Sequence, residues 1–323
     1  MKTSLLILVL PVFLSFQSLA QKHEFSFMEE YPLSPGGAFG LSTSDGFIHV
    51  YPSDDDVARV YFIVFKGDDF QRISRQELEE KVEIVIRSSD AFLEINIRTK
   101  ERYGWSEWRN AYNVSCEVYV PSKTSCDLKS SDGDIRLSGL NGSQKCRTSD
   151  GDIYGSGIEG AVDAVTSDGN VELHGIKGAV SLESSDGDLL AEDVEGDATF
   201  HTSDGDINMA RVSGMVESAT SDGDIMFREC AGSFRGVTSD GDIRGDLVKI
   251  QGLLSASTSD GDIDVKIPEG SGIDLKMRGE DLYLPRVELS GQVDEHYIRG
   301  AINGGGVPVD LITSDGSVRL SFQ

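Results

Sequence analysis

The sequence has little positive charge. It contains 29 Lys and Arg against 55 Asp and Glu, which gives a formal net charge of −26 at pH 7. A chain this acidic is repelled by nucleic acid and by anionic lipid, so neither is an expected partner. High acidity also accompanies disorder, but the regular aliphatic pattern described below argues against a disordered chain.

The sequence also lacks the motifs of common enzyme classes. The five histidines are scattered, and there is no H-E-x-x-H, G-x-S-x-G or phosphate-binding loop. A catalytic carboxylate pair needs two environments that separate the pKa values, whereas the aspartates here recur in like surroundings. We therefore expect a non-enzymatic protein without a cofactor. A polysaccharide-active β-helix enzyme is the alternative, because right-handed β-helices do host such enzymes.

Apolar runs are confined to the N-terminus. Lys2 precedes an apolar run over residues 5–16, and small residues at Ser18 and Ala20 follow it. These features are typical of a secretory signal peptide, here cleaved after Ala20. The run is too short for a membrane span, no later stretch could be one, and no cysteine follows at a lipid-anchor position. The expected location is secreted, periplasmic or cell-surface.

Cysteines are few as well. The chain has four, an even number that export allows to form disulfides without requiring them. Cys116 and Cys126 flank Pro121, so a hairpin could bring them together. Cys146 and Cys230 fall at core-type repeat positions, where a small buried hydrophobic side chain is expected.

One motif, Ser-Asp-Gly, is abundant. Its aspartates recur with a constant 18-residue period from Asp132 to Asp240, with another at Asp260, an early copy at residues 44–46 and a late one at 314–316. We number the columns of each repeat unit from two residues before the Thr or Ser that precedes the motif, so that Cys146 is column one of the second unit. Column eight is then always aliphatic, and column fifteen is always glycine.

The apolar columns are spaced two apart on both sides of the turn, which is the signature of β-strands. A unit this short cannot bury its apolar side alone, so successive units must stack. Column thirteen is aliphatic or cysteine and ends with Ile250 after a two-residue insertion. A left-handed hexapeptide helix would need aliphatic residues at columns two and fourteen, which are mostly polar. The pattern therefore predicts an all-β fold: a right-handed, single-stranded parallel β-helix (β-solenoid) in which each coil is one repeat unit.

Both ends depart from the repeat and are predicted to form irregular caps. The expected organisation is a signal peptide (1–20), an N-terminal β cap continuous with the solenoid (21–127), the regular solenoid (128–267), and C-terminal coils with a cap (268–323). In the N-terminal cap, strands are predicted over residues 39–51, 59–66, 82–87, 92–99 and 112–120. Ser74 and Glu77 predict a capping box at the start of a short helix over residues 74–81.

Four segments occur in an order that resembles a bacterial family known as putative adhesins, a family of unknown function with β-strand repeats. They are the opening PGGAFGLSTSDGFIHV over residues 35–50, CEVYVP over 116–121, the T/S-S-D-G-D-I run, and the closing TSDGSVRLSF. The resemblance implies a right-handed β-helix and an exported or surface location. It implies no catalytic residue and no particular ligand.

The acidic turn has two interpretations. As a scaffold element, its glycine supplies a positive φ, the aspartate before it accepts turn amides, and the Thr or Ser hydroxyl does so more weakly. By period-two counting, that Thr or Ser of column three points inward. As a binding element, stacked carboxylates about 4.8 Å apart repel each other, and calcium, which takes several oxygen ligands, could neutralise them. The candidate calcium ligands form columns five and seven: Asp132, Asp134, Asp150, Asp152, Asp186, Asp188, Asp204, Asp206, Asp222, Asp224, Asp240, Asp242, Asp260 and Asp262.

An aromatic segment is the second candidate site. Tyr103, Trp105, Trp108 and Tyr112 include both tryptophans of the chain. On an exposed loop they could bind a surface glycan or a protein partner; alternatively they are cross-strand pairs that cap the first coil. The expected function is that of an adhesin-like structural or binding protein, with a calcium-binding extracellular module as the first alternative.

Overall fold

The structure is a computed structural model that describes residues 24–100 and 111–323. The predicted signal peptide lies outside this range. Nearly all regular structure in the described part is β-strand, and no helix there is long and apolar enough to cross a membrane. The strands hydrogen-bond into one continuous sheet whose segments stack as coils. The prediction of an all-β solenoid-like fold is therefore confirmed.

The N-terminal region forms the first coil and a β cap around it. Its strands are β1 (Phe27–Pro32), β2 (Ala38–Ser42), β3 (Ile48–Ser53), β4 (Val57–Lys66), β5 (Asp69–Phe70), β6 (Val82–Ser89), β7 (Phe92–Thr99) and β8 (Tyr112–Pro121). The single strand predicted over residues 39–51 is wrong, because the first Ser-Asp-Gly turn divides it into β2 and β3. The other four predicted strands are present.

The short helix α1 (Arg75–Glu79) has the predicted capping box. The Ser74 hydroxyl accepts the Glu77 amide at 3.3 Å, and the Glu77 carboxylate accepts the Ser74 amide at 2.9 Å. These two bonds satisfy amides that a first helical turn leaves without intrahelical partners. Leu78 is fully buried, so the helix is anchored to the core by one side chain.

The regular coils pair in parallel, and most pairs keep the 18-residue register of the repeat. Ile153 lies beside Val171, which lies beside Leu189. The strands are β9 (Ser125–Lys129), β10 (Ile135–Ser138), β11 (Gln144–Arg147), β12 (Ile153–Glu159), β13 (Val162–Val165), β14 (Val171–Lys177), β15 (Val180–Glu183), β16 (Leu189–Glu195), β17 (Ala198–His201), β18 (Ile207–Ala219), β19 (Ile225–Val237), β20 (Ile243–Ser257) and β21 (Ile263–Ile267). Below them, β2 pairs with β9 and β3 with β10. The N-terminal Ser-Asp-Gly turn, which joins β2 to β3, therefore belongs to the first coil of the solenoid.

The C-terminal region returns to the solenoid after an excursion. Its strands are β22 (Ile273–Arg278), β23 (Asp281–Tyr283), β24 (Leu289–Asp294), β25 (Tyr297–Ile302), β26 (Val307–Ile312) and β27 (Ser317–Phe322). β26 stacks on β20 and β27 on β21, both in parallel. An antiparallel hairpin of β24 and β25 lies beside β22. The last Ser-Asp-Gly turn is thereby placed on top of the turn at residues 259–261.

The core consists of side chains that stack from coil to coil, in the columns that the repeat predicts. Column eight is fully buried in every coil: Ile135, Ile153, Val171, Leu189, Ile207, Ile225 and Ile243. Burial of such a side chain contributes about 1.5–3 kcal/mol to folding. The four cysteines are all buried and free, so Cys116 and Cys126 do not form the disulfide that a hairpin would have allowed. Burial raises the pKa of each of the four thiols.

The two-residue insertion is placed differently from the prediction. Leu247, which is 1% exposed, lies opposite Cys230 in column thirteen, whereas Ile250 lies opposite Gly232 and is only partly buried. The assignment of Ile250 to column thirteen is therefore wrong. The register shifts between β19 and β20 absorb the extra residues as a bulge, which lets the longer coil keep an apolar side chain in the core.

Column twelve forms a left-handed bend that the sequence did not reveal. Gly139, Gly157 and Gly175 have φ of 64°, 61° and 66°, and the next three coils hold Asp193, Arg211 and Glu229 at 56°, 53° and 52°. A residue with a Cβ pays roughly 1–2 kcal/mol in this conformation. The Arg211 guanidinium binds the Asp193 carboxylate at 2.6 and 3.0 Å, so the strained bend carries an ion pair between coils.

Candidate functional site: an acidic ladder along one corner

Backbone hydrogen bonds join the ten Ser-Asp-Gly turns into one corner that we call the ladder. The amides of Ser149 and Asp150 both donate to the Ser131 carbonyl, at 2.8 and 2.9 Å. The same pair of bonds recurs between every two successive turns, from residues 44–46 to residues 314–316. With strands about 4.8 Å apart, ten rungs extend over about 43 Å.

The Thr or Ser of column three fixes each turn from inside, as predicted. In the coil of residues 202–207, the Thr202 hydroxyl lies 3.1 Å from the Ser185 carbonyl and 3.2 Å from the Gly187 carbonyl, and it accepts the Gly205 amide at 3.3 Å. The equivalent residue is partly buried in one turn, Ser130, and buried in the other nine: Thr43, Thr148, Thr166, Ser184, Thr202, Thr220, Thr238, Thr258 and Thr313. These hydroxyls bind successive coils together and are not available to a ligand.

The glycine of the motif has a different role from the one predicted. None of the ten glycines lies in the left-handed φ region, so the expectation of a positive φ is wrong. A Cβ on Gly187 would lie 1.8 Å from the Gly169 carbonyl oxygen, and one on Gly205 would lie 2.1 Å from the Gly187 oxygen. Glycine is required because the backbones of neighbouring coils pack directly on each other at this corner.

The prediction that the column-five carboxylates accept backbone amides is wrong. The carboxylates of column seven do so instead, and each accepts an amide of the next coil. Asp206 Oδ1 accepts the Asp224 amide at 2.8 Å, and Asp224 Oδ1 accepts the Asp242 amide at 2.8 Å. Asn170 continues the column because an amide oxygen accepts as well, at 2.8 Å from the Asp188 amide. These bonds offset part of the repulsion between stacked charges. At the last rung, the Ser317 amide and then its hydroxyl lower the pKa of Asp262.

Column five is the exposed edge of the ladder. Its residues all face solvent: Asp45, Asp132, Asp150, Asp168, Asp186, Asp204, Asp222, Asp240, Asp260 and Asp315. Within residues 24–100 and 111–323, none of them forms a salt bridge with Lys, Arg or His. At the N-terminal end, burial, the charge of Asp45 and a hydrogen bond with it raise the pKa of Asp132. The ladder therefore presents a line of unneutralised carboxylates.

The fourteen predicted calcium ligands thus divide into two environments. The column-seven aspartates are engaged by the protein's own amides, and the column-five aspartates are not. In the part of the chain that the structure describes, no three His, Cys, Asp or Glu side chains converge as a group that could hold a metal ion. A metal would have to be bound by the column-five edge with water or partner groups completing its ligands.

The aromatic segment lies mostly outside the described residues. Tyr103, Trp105 and Trp108 fall within residues 101–110, so their predicted role is untested. Tyr112 begins β8, is half-buried, and has the Lys66 Nζ 5.8 Å from its ring centroid. The described part of this segment is therefore a strand of the cap.

A solenoid in which one turn recurs on every coil is a repeat protein that presents the same surface groups at a fixed spacing. The chain belongs to the Toastrack DUF4097 family, whose family model matches residues 73–228 and 179–321. This confirms the resemblance seen in the sequence.

Two solved structures are similar to this chain at low sequence identity. A structure described as a putative adhesin from Bacteroides fragilis NCTC 9343 is 15% identical, with a TM-score of 0.42, over 74% of this chain and 96% of that one. One described as a putative cell adhesion protein from Clostridium sporogenes ATCC 15579 is 12% identical, with a TM-score of 0.23, over 92% and 99%. Similarities at this level carry no argument about function. No curated protein matches the chain.

Proposed function

We propose that the protein is an exported, non-enzymatic binding protein of the adhesin type, acting in the periplasm, at the cell surface or outside the cell. The proposal includes the signal peptide over residues 1–20 and a right-handed winding of the coils, the hand that parallel β-crossovers adopt in nearly all proteins. The observation that carries the function is the ladder itself. A rigid series of ten exposed carboxylates repeats one weak binding group, and simultaneous engagement of several groups raises avidity.

The repetition also favours binding over catalysis. An acid–base pair requires two carboxylates with separated pKa values, whereas the central column-five aspartates share one geometry and one exposure. A surface for a polymer or a cell needs the opposite, namely equal groups along a line. Suitable partner groups are cationic, such as the amino groups of a glycan or of a protein.

Neutralising four central rungs is expected to weaken cell or glycan binding by about tenfold or more, because several charges act together. The variant carries Asp168→Asn, Asp186→Asn, Asp204→Asn and Asp222→Asn. Binding of the mature chain, from Gln21 onward, is measured on a glycan array and on whole cells. Since these side chains are exposed, the melting temperature should not fall.

The matched control removes the same charge from other faces: Glu83→Gln, Glu195→Gln, Glu217→Gln and Glu269→Gln, all at exposed positions. This control should bind as the natural chain does. Equal binding by the ladder variant and the natural chain would exclude the ladder as the binding surface. Absence of binding to any cell or glycan, or turnover of an acidic polysaccharide, would overturn the proposed function.

A second proposal is that the ladder binds calcium. It is favoured by the column-five carboxylates, which have no cationic partner among the described residues, and by the raised pKa of Asp132 beside Asp45. Extracellular calcium modules bind with dissociation constants of roughly 0.1–1 mM, so 10 mM calcium would add about 1.4–2.7 kcal/mol of stability. We expect the melting temperature to be higher in calcium than in EDTA or magnesium, and an unchanged value would refute a structural calcium role.

A further inference from the structure

A groove lies on the outer face of the N-terminal sheet, away from the ladder. Strands β7, β2, β9 and β11 lie side by side and form the floor of this open groove, whose volume is about 660 Å³. The floor is made by Ala38, Gly40 and Ser42 of β2, three small residues that face outward between larger neighbours. We call this surface the β2 groove.

Neither the backbone conformation nor close packing requires a glycine at position 40. Its φ is not left-handed, and a Cβ built on it would meet nothing closer than the Glu94 Cγ at 3.7 Å and the Asp127 carbonyl oxygen at 3.8 Å. Glycine within a strand costs about 0.5–1 kcal/mol relative to alanine, and it often marks a place where a ligand approaches the backbone closely. The ladder glycines, by contrast, are required by the neighbouring coil.

The walls of the groove carry uncommitted positive charge on a strongly acidic protein. Arg98 stands on β7 and Lys145 on β11, both exposed, and neither forms a salt bridge with any described residue. Lys129, between them, lies 3.2 Å from the Asp127 carboxylate. Two acidic side chains also line the groove: Asp127, and Glu94, whose carboxylate lies 3.5 Å from Arg87. The lining therefore carries three basic and two acidic side chains, and this small excess of positive charge is a local exception on a chain with a net charge of −26.

The remaining lining suits a sugar. Phe92 is 42% exposed at the end of the groove where it pairs with Ala38, and an exposed ring offers an apolar platform for a sugar face. Asn96, Ser42, Ser125 and Ser143 add hydrogen-bonding groups along the floor and walls. Both long edges of β2 are already paired with strands, so an extended peptide cannot be added to it as a further strand.

We propose that the β2 groove binds an acidic oligosaccharide, one whose sugar rings carry carboxylate or sulfate groups. The sugar rings lie over Gly40 and against Phe92, and the anionic substituents are bound by Arg98 and Lys145. The inference goes beyond the proposed function, because it adds a second binding site with a different class of ligand. It places that ligand away from the acidic ladder, which would repel it.

The test is calorimetric titration of the full mature chain with four probes: trigalacturonate, a sulfated heparin hexasaccharide, neutral maltohexaose and a hexaglutamate peptide. Trigalacturonate or the sulfated probe should bind at least tenfold more tightly than maltohexaose, and the preferred probe identifies the anionic group. The paired variant Arg98→Gln with Lys145→Gln should weaken that binding about tenfold or more. Gly40→Tyr, which fills the floor, should abolish it.

The control variant Lys249→Gln with Lys266→Gln removes two exposed, unpaired lysines elsewhere and should bind as the natural chain does. Should Gly40→Tyr fail to fold, the Arg98 and Lys145 substitutions, at exposed positions, still decide the outcome.

Failure of both acidic sugars to bind, unchanged binding by the paired variant, or equal binding of hexaglutamate would overturn the inference. If the groove binds no probe while cell binding still depends on the ladder, only the groove inference fails. If the groove binds sugar but no cell or array binding exists, the proposed function of the ladder fails instead.

Discussion

Replacement of Gly187 with alanine is expected to lower the free energy of unfolding by about 4 kcal/mol or more, beyond the range of ordinary overpacking. The new Cβ would lie 1.8 Å from the Gly169 carbonyl oxygen and 2.5 Å from its carbonyl carbon. Neither atom belongs to a flexible side chain, so relief requires that two coils separate. Separation would also break the bonds that join the Ser185 and Asp186 amides to the Ser167 carbonyl. Urea unfolding followed by far-ultraviolet circular dichroism measures the loss.

Gly40→Ala is the matched control for this prediction. Gly40 is also a glycine between two parallel strands, but its Cβ would make only ordinary contacts. Alanine there should leave stability unchanged or raise it by up to about 1 kcal/mol, because the unfolded chain loses conformational freedom. Similar losses at Gly187 and Gly40 would show that close packing between coils is not what requires glycine in the ladder.

Thr202→Val is expected to lower the free energy of unfolding by about 2–3 kcal/mol, because a buried backbone group left without a partner costs about 1–3 kcal/mol. Valine has nearly the shape of threonine, but it leaves the buried Gly205 amide without its acceptor and the Gly187 carbonyl without the hydroxyl 3.2 Å away. The measurement is again urea unfolding, with intact secondary structure verified before denaturation.

Thr202→Ser supplies the comparison. Ser184 fills the equivalent position one coil earlier and makes the same three contacts, at 3.0–3.2 Å. The serine variant should lose only about 0.8 kcal/mol, the contribution of one buried methyl group. A valine variant as stable as the serine variant would mean that the hydroxyl adds nothing to the joining of coils.

The repeat made the architecture predictable because its information is periodic. Aliphatic residues two apart, returning once in every repeat unit, specify strands, their inward faces and their parallel register before any coordinates are known. The buried files at Ile153, Val171 and Leu189 follow directly. The inward position of Thr202 and the helix cap at Ser74 also follow from local rules, since each depends on residues close in sequence.

What the sequence did not reveal depends on contacts between coils. A glycine such as Gly187 has the same letter whether it is needed for a positive φ or for close packing, and only the position of the Gly169 carbonyl distinguishes the two. Likewise, nothing in the sequence shows which of the two aspartates in a turn, Asp186 or Asp188, accepts a backbone amide. In the structure it is Asp188, which accepts the Asp206 amide of the next coil. The β2 groove was missed for the same reason, because its walls come from strands far apart in the chain.

The rungs of the ladder are evenly stacked in space, but they join segments that lie at different distances along the chain. Central rungs join neighbouring repeat units, whereas the first rung joins Ser44 to Ser131 and the last joins Ser259 to Ser314. Loop-closure entropy grows with loop length, and closing the first rung costs about 1.4 kcal/mol more than closing a central one. The middle coils can therefore form first as a template, with both end caps docking late and opening early. We therefore expect proteolytic cleavage and amide hydrogen exchange to begin in the two end caps, before the middle coils.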